Sequence, residues 1–286
     1  MRLFNPKTIS EAIDILEDFG GEAKVLAGGT DLMPRINRRQ IKPKALVCIR
    51  NIEQLDSIRE TSDGLIIGPS TTHASLANSP VVCKKVQALA ISSSLVGSPL
   101  VRNLGTIGGN LCWASPAADT APPLLSLGAE IIWQEGGSEH RCPLDSFFKG
   151  VNLTVLPPTA LVTGISIPLP ALGMRTTFVK IGLRNAVNIS VVSVAVVMTL
   201  DGDRIARRVR ISLGAVAPVP LLANAASQYL TGKEISPETI AASANLAAEE
   251  IAPISDVRAS SWYRKEMARV YTIRALSAAA GLNEQG

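Results

Sequence analysis

Two stretches decide how this chain reads: Val25-Leu26-Ala27-Gly28-Gly29-Thr30-Asp31-Leu32 and, eighty positions further on, Asn103-Leu104-Gly105-Thr106-Ile107-Gly108-Gly109-Asn110. Each carries adjacent glycines, which lack a Cβ, so the backbone can come close to a ligand and aim its N–H groups at an anion. Thr30 and Thr106 add hydroxyl donors and Asn110 an amide. The two charges of a diphosphate could be shared between such loops without any lysine. Taken singly, each loop also fits a tight turn.

Outward from the first loop, Thr8-Ile9-Ser10-Glu11 has capping-box spacing, and Ala12, Ile15, Leu16 and Phe19 then form one apolar helical face. Gly20-Gly21 ends that helix where left-handed backbone is cheapest. Residues 24–27 form a short buried strand that runs into the loop, and 45–49 another, so the first fifty residues read as a small parallel β-α-β unit. Residues 65–68 read as a strand and 81–95 as one long helix. The second loop lies in an irregular stretch, 97–123, and strands resume at 129–134 and 160–167. Beyond Thr176, strands at 190–200 and 204–216 flank the hairpin signature Asp201-Gly202-Asp203, and helical patterns cover 222–230, 237–251 and 258–280. The whole reads as α+β with a boundary near Gly173. That gives a first domain over 1–173, divided into subdomains of about 1–55 and 56–173, and a C-terminal domain of antiparallel sheet plus helices over 174–286.

Composition removes several function classes. Of 286 residues 47% are apolar, 18% charged and only 4% aromatic, so the core is aliphatic. The net charge of +4 is scattered, and the one dense patch (Arg204, Arg207, Arg208, Arg210) is broken at strand spacing. It reads as a solvated strand face rather than a nucleic-acid track, which would pair cations with stacking aromatics. No apolar run is long enough for a signal peptide or a membrane span, which points to a cytoplasmic protein. Cys48, Cys83, Cys112 and Cys142 have no C-x-x-C pairing, so they read as buried free thiols in a reducing cytosol rather than as metal ligands. His73 and His140 have no catalytic partner at a recognisable spacing and read as surface or capping residues. Gly-x-Ser-x-Gly, H-E-x-x-H, the P-loop and G-x-G-x-x-G are all missing.

Together, strand-Ala-Gly-Gly-Thr-Asp and Thr-Ile-Gly-Gly-Asn resemble the FAD-binding medium subunit of the xanthine dehydrogenase / carbon monoxide dehydrogenase family of molybdenum hydroxylases. Further landmarks follow in order: Ala114-Ser115-Pro116-Ala117-Ala118-Asp119, then Phe178-Val179-Lys180, then Arg184-Asn185-Ala186-Val187-Asn188-Ile189-Ser190. The resemblance spans nearly the whole chain. It implies a two-subdomain FAD-binding domain of the vanillyl-alcohol-oxidase type, followed by the medium subunit's C-terminal domain.

It also implies roles. Val25, Leu26, Ala27, Gly28, Gly29, Thr30, Asp31 and Leu32 would contact the FAD diphosphate and its flanks, with Thr106, Ile107, Gly108, Gly109 and Asn110 as the facing wall. Asp119 would accept hydrogen bonds from flavin-side hydroxyls, or cap the helix that follows it; both roles are compatible. Val162 and Lys180 match positions at the ring or adenine end, though Lys180 also fits a plain surface strand lysine. No catalytic acid, base, nucleophile or metal ligand is expected here. The implied partners are a small subunit with two [2Fe-2S] clusters and a large molybdopterin subunit, as a dimer of heterotrimers, with NAD or a quinone as final acceptor. The cysteines do not resemble the insertion that holds a [4Fe-4S] cluster in one branch of the family. The alternative is a stand-alone flavin oxidase or dehydrogenase of the vanillyl-alcohol-oxidase type. Such an enzyme needs a substrate cavity with an acid/base residue, often a tyrosine or histidine, and none is expected beside the glycine loops.

Overall fold

The computed structural model describes residues 1–184 and 187–282. Asn185 and Ala186, part of the Arg184–Ser190 landmark, lie outside the described residues.

The chain opens with β1 (Arg2–Phe4), α1 (Ile9–Phe19), β2 (Ala23–Leu26), α2 (Leu32–Asn37) and β3 (Ala45–Cys48). Thr8 caps α1 by accepting from the Glu11 N–H, while the Glu11 carboxylate turns back to the Lys7 N–H instead of completing the box. Ala12, Ile13 and Leu16 bury one face of the helix against a parallel sheet ordered β1-β3-β2. The outer strand β1 is too short to show alternation and escapes the sequence reading.

Next come β4 (Ile58–Thr61), β5 (Gly64–Ile67), then α3 (His73–Asn78), α4 (Pro80–Lys85), α5 (Gln87–Ser94), α6 (Pro99–Leu104), α7 (Ile107–Trp113) and α8 (Ala121–Leu127). They are followed by β6 (Glu130–Glu135), β7 (Ser138–Pro143), α9 (Leu144–Phe147), β8 (Phe148–Gly150), β9 (Leu153–Thr154) and β10 (Leu161–Pro168). Five strands form an antiparallel sheet ordered β4-β5-β10-β6-β7, and Ile67, Ile131 and Ile165 from its middle strands anchor the largest core cluster. The expected single helix over 81–95 is two, because the Val86 backbone leaves helical geometry (φ −140°, ψ 53°) while its side chain stays in the core. The stretch expected to be irregular, 97–123, holds two helices of six and seven residues and the start of a third.

The last part is β11 (Met174–Ile181), β12 (Val192–Leu200), β13 (Ala206–Gly214), β14 (Leu221–Leu222), α10 (Asn224–Leu230), α11 (Pro237–Glu249) and α12 (Ser261–Ala280). The antiparallel sheet runs β11-β12-β13-β14. Residues 192–198 of β12 are buried without alternation, because α12 packs on one face of the strand and α8 on the other. The arginine patch is not one solvated face. Arg204 sits in the turn at φ 59°, Arg207 pairs with Asp201, and half-buried Arg210 donates to the Leu125 carbonyl. Nor are the four cysteines buried: all are free, Cys83 and Cys112 exposed, Cys48 and Cys142 half-buried. No helix among the described residues is long and apolar enough to cross a membrane.

Candidate functional site

A cavity of about 480 Å³ opens between the parallel sheet and the helices that follow β5. The two glycine loops form its facing walls. They touch: a Cβ on Gly28 would stand 1.9 Å from the Leu104 carbonyl oxygen, so only glycine allows the loops to meet there. On the other side of that contact, Thr30 Oγ1 and His73 Cδ2 lie 3.4 and 3.3 Å from where Gly105 would carry a Cβ. Gly29 holds φ at +71°, a left-handed conformation that turns the chain from β2 into α2. Gly108 packs against Pro69, whereas a Cβ on Gly109 would meet only its own Thr106 hydroxyl, at 3.0 Å.

The backbone donors are spent unequally. Among the described residues, the N–H groups of Gly28, Gly29, Thr30 and Asp31 find no acceptor, leaving four consecutive donors at the cavity. In the second loop the Ile107 N–H goes to Thr71 O, Gly108 to Pro69 O, Gly109 to Thr106 Oγ1 and Asn110 to Thr106 O. Only the Thr106 N–H is left over. Asn110 spends its carbonyl on the Thr120 hydroxyl at 2.5 Å, which leaves its amide protons available. The first loop is the stronger anion cradle.

Of the residues singled out in the sequence, Val25, Ala27, Gly28, Gly29, Thr30, Asp31, Leu32, Thr106, Gly108, Gly109, Asn110 and Val162 line the cavity. Val162 does so at a bulge between β10 and β6 that shifts the register by one residue. Leu26, Ile107, Asp119 and Lys180 are not in the wall. Ile107 is fully enclosed in the core. Asp119 and Lys180 form a buried ion pair at 2.6 Å, with side chains 7% and 5% exposed. Lys180 Nζ also donates to Leu95 O and Asn188 O, and Ser190 Oγ donates to Asp119 Oδ1 at 2.5 Å. Burial pushes the Asp119 carboxyl up, and Lys180 and Ser190 pull it back. Asp119 caps nothing: Thr120 occupies the N-cap of α8, without a side-chain hydrogen bond. Lys180 is not a surface lysine.

Several wall residues carry no motif and were missed. Arg35 of α2 lies 4.1 Å over the Trp113 ring of α7, a cation–π contact that ties the two walls together. Cys112 lines the cavity as a free thiol. His73, expected at the surface or as a cap, is 2% exposed and stands beside the second loop, its N–H donating to Gly105 O at 3.0 Å. The expectation that no histidine adjoins the loops is therefore overturned. His140, by contrast, stacks on Trp133 at an exposed edge.

Residues 1–170 match the family described as the FAD binding domain in molybdopterin dehydrogenase, and residues 177–279 the CO dehydrogenase flavoprotein C-terminal domain. The chain belongs to this family. It is an FAD-binding subunit of a molybdenum hydroxylase complex. It is 32% identical over 240 residues to the carbon monoxide dehydrogenase medium chain of Hydrogenophaga pseudoflava, covering 84% of this chain and 83% of that one. It is 30% identical to the nicotinate dehydrogenase FAD-subunit of Eubacterium barkeri, over 84% and 82% of the two chains. Among solved structures, a chain of the Cu,Mo-CO dehydrogenase superposes with TM-score 0.95 at 31% identity, covering 99% and 98% of the two chains. Quinoline 2-oxidoreductase from Pseudomonas putida 86 gives 0.93 at 30% identity, with the same coverage. The α+β fold, with its antiparallel C-terminal sheet, is that of these flavoprotein subunits. The cavity of this FAD subunit suits its cofactor: four unspent backbone donors at one wall match an anionic diphosphate, and the aliphatic side chains of Val25, Ile49, Leu161 and Val162 suit a planar ring.

Proposed function

We propose that residues 1–173 hold FAD with its diphosphate between the two glycine loops. On this reading the subunit takes electrons from [2Fe-2S] clusters of a small partner and passes them to an external acceptor such as NAD or a quinone. The observation that carries it is the row of free N–H groups at Gly28, Gly29, Thr30 and Asp31, facing a second glycine loop across one cavity. When bound, a flavin supplies the ability to collect electrons singly and release them in pairs, and the protein's task is to place and tune it.

The chain's own residues divide that task. The first loop binds the diphosphate through its N–H groups, and Thr106, Gly108, Gly109 and Asn110 close the opposite wall. Val25 and Val162 exclude water from the flanks. Asp119 lies outside the cavity wall with its oxygens held by Ser190 and Lys180, and is given no contact with the cofactor here. No acid, base or nucleophile of this chain is given a chemical step, because the organic substrate is handled by a large molybdopterin subunit. The assembly is a dimer of heterotrimers in the cytoplasm.

Purifying the chain alone and with its co-expressed neighbours, and recording the visible spectrum, tests this. Releasable yellow FAD with substrate turnover only in the complex is expected. A colourless complex, or turnover by the isolated chain as in a stand-alone flavin oxidase, would overturn it.

A further inference from the structure

Among the described residues of the cavity wall, His73 is a titratable side chain only 2% exposed, held at the junction of the two loops. Its place is fixed by the backbone. Thr72 and Thr106 form an antiparallel bridge, with the His73 N–H donating to Gly105 O and the Ile107 N–H to Thr71 O. Thr72 caps α3 through its side chain, so His73 itself is spared that duty. Its imidazole Cδ2 and Thr30 Oγ1 approach the same side of Gly105, where the loops converge.

The ring is chemically unspent. Nδ1 is fully enclosed and has no hydrogen-bond partner among the described residues, while Nε2 is not enclosed in this way and is unpartnered as well. Leaving a buried N–H donor unpaired is rarer and costlier than leaving a lone pair bare. The proton of the neutral ring therefore belongs on Nε2, at the edge that reaches the cavity. The ring is neutral at pH 7, because burial first, and the nearby Arg102 charge second, hold it down at about 4. On this side of the cavity other donors are scarce, since the second loop has used four of its five N–H groups internally.

We propose that His73 donates a hydrogen bond from Nε2 to the FAD diphosphate, supplying on the second wall what the spent backbone of residues 107–110 cannot. The proposal rests on the FAD reading above and adds a side-chain donor to it. A neutral donor suits the place: it offers a directed N–H without bringing a cation into a buried corner that already holds Arg102.

The test is titration of the FAD-stripped complex with FAD and, separately, with ADP, which carries a diphosphate but no flavin, comparing wild type with His73→Leu and His73→Gln. Glutamine can place an amide N–H near the Nε2 position; leucine fills the space without a donor. In H73L the dissociation constants of both FAD and ADP should rise roughly ten-fold, the scale of one hydrogen bond to a charged group, while H73Q stays within about three-fold. Far-UV circular dichroism of the stripped forms checks the fold. Should H73L not fold, His73→Asn, whose amide is too short to reach, takes its place with the same ten-fold expectation. Unchanged FAD affinity in H73L, a loss confined to FAD and absent for ADP, or equal losses in H73L and H73Q would each overturn the proposal. Wild type that binds neither ligand would instead overturn the FAD reading itself.

Discussion

Gly28 and Gly109 stand in similar motifs and answer to different constraints. Gly28 is glycine because the Leu104 carbonyl occupies the place of its Cβ; a Cβ on Gly109 would meet only its own Thr106 hydroxyl. The two variants should therefore part company. Gly28→Ala pries the loops apart and should destabilise even the FAD-free protein, by about 1–3 kcal/mol for an overpacked contact. Gly109→Val, where only the Thr106 capping hydroxyl must give, should lower the apo melting temperature less than Gly28→Ala does and abolish flavin retention. Calorimetry of the stripped proteins with an FAD count after gel filtration reads both. A G109V protein that keeps stoichiometric FAD would contradict the placement of Gly109 at the cofactor. At this scale the loops were legible in the sequence only as a pair, because a single Gly-Gly also fits a tight turn. His73 was not. Its burial comes from the pairing of segment 69–73 with 105–108, a long-range contact that leaves no local pattern.

Among the elements, α12 shows how one buried cation fixes a helix. Arg264, 4% exposed at its side chain, donates from Nη1 to Val191 O and Ala215 O and from Nη2 to Asp256, so the start of the helix is pinned to strand ends of the C-terminal sheet. Partial desolvation pushes the Asp256 carboxyl up, but hydrogen bonds from the Arg258 and Ala259 N–H groups and the Arg264 guanidinium outweigh it and hold the group at about 2. The unfolded chain, with an ordinary carboxyl near 3.8, then binds more protons between these values. The contribution of Asp256 is present above pH 4 and is lost as pH falls through 2. Asp256→Asn should lower the melting temperature at neutral pH and flatten its fall between pH 4 and 2; parallel wild-type and variant curves would refute the pairing. Element existence was mostly readable here, and helix breaks were not. The stretch 81–95 holds no glycine or proline to mark a stop, so the change of backbone at Val86 leaves no local signal. The short helices inside 97–123 are too brief for periodicity, yet Ser98-Pro99, a cap followed by proline in the first turn, was a usable start signal, as was Ser79-Pro80 for α4.

Across the whole molecule, the Lys180–Asp119 pair joins β11 of the C-terminal sheet to the segment entering α8, with Leu95, Asn188 and Ser190 as further partners. Breaking one half of such a pair strands a buried charge, whereas both halves together are neutral and satisfied. Residue 119, expected to serve the cofactor, thus helps to hold the C-terminal sheet against the FAD-binding part. The family resemblance foretold the two glycine walls and the C-terminal sheet. It could not foretell how the donors are shared out, since that depends on which carbonyls each loop meets once folded. The most direct measurement is an experimental structure of the FAD-loaded complex. The account predicts diphosphate oxygens within about 3.2 Å of at least two of the N–H groups of Gly28, Gly29, Thr30 and Asp31, with Gly109 across from them. A diphosphate bound elsewhere, with those N–H groups facing water or the gap between the loops filled by side chains, would contradict it.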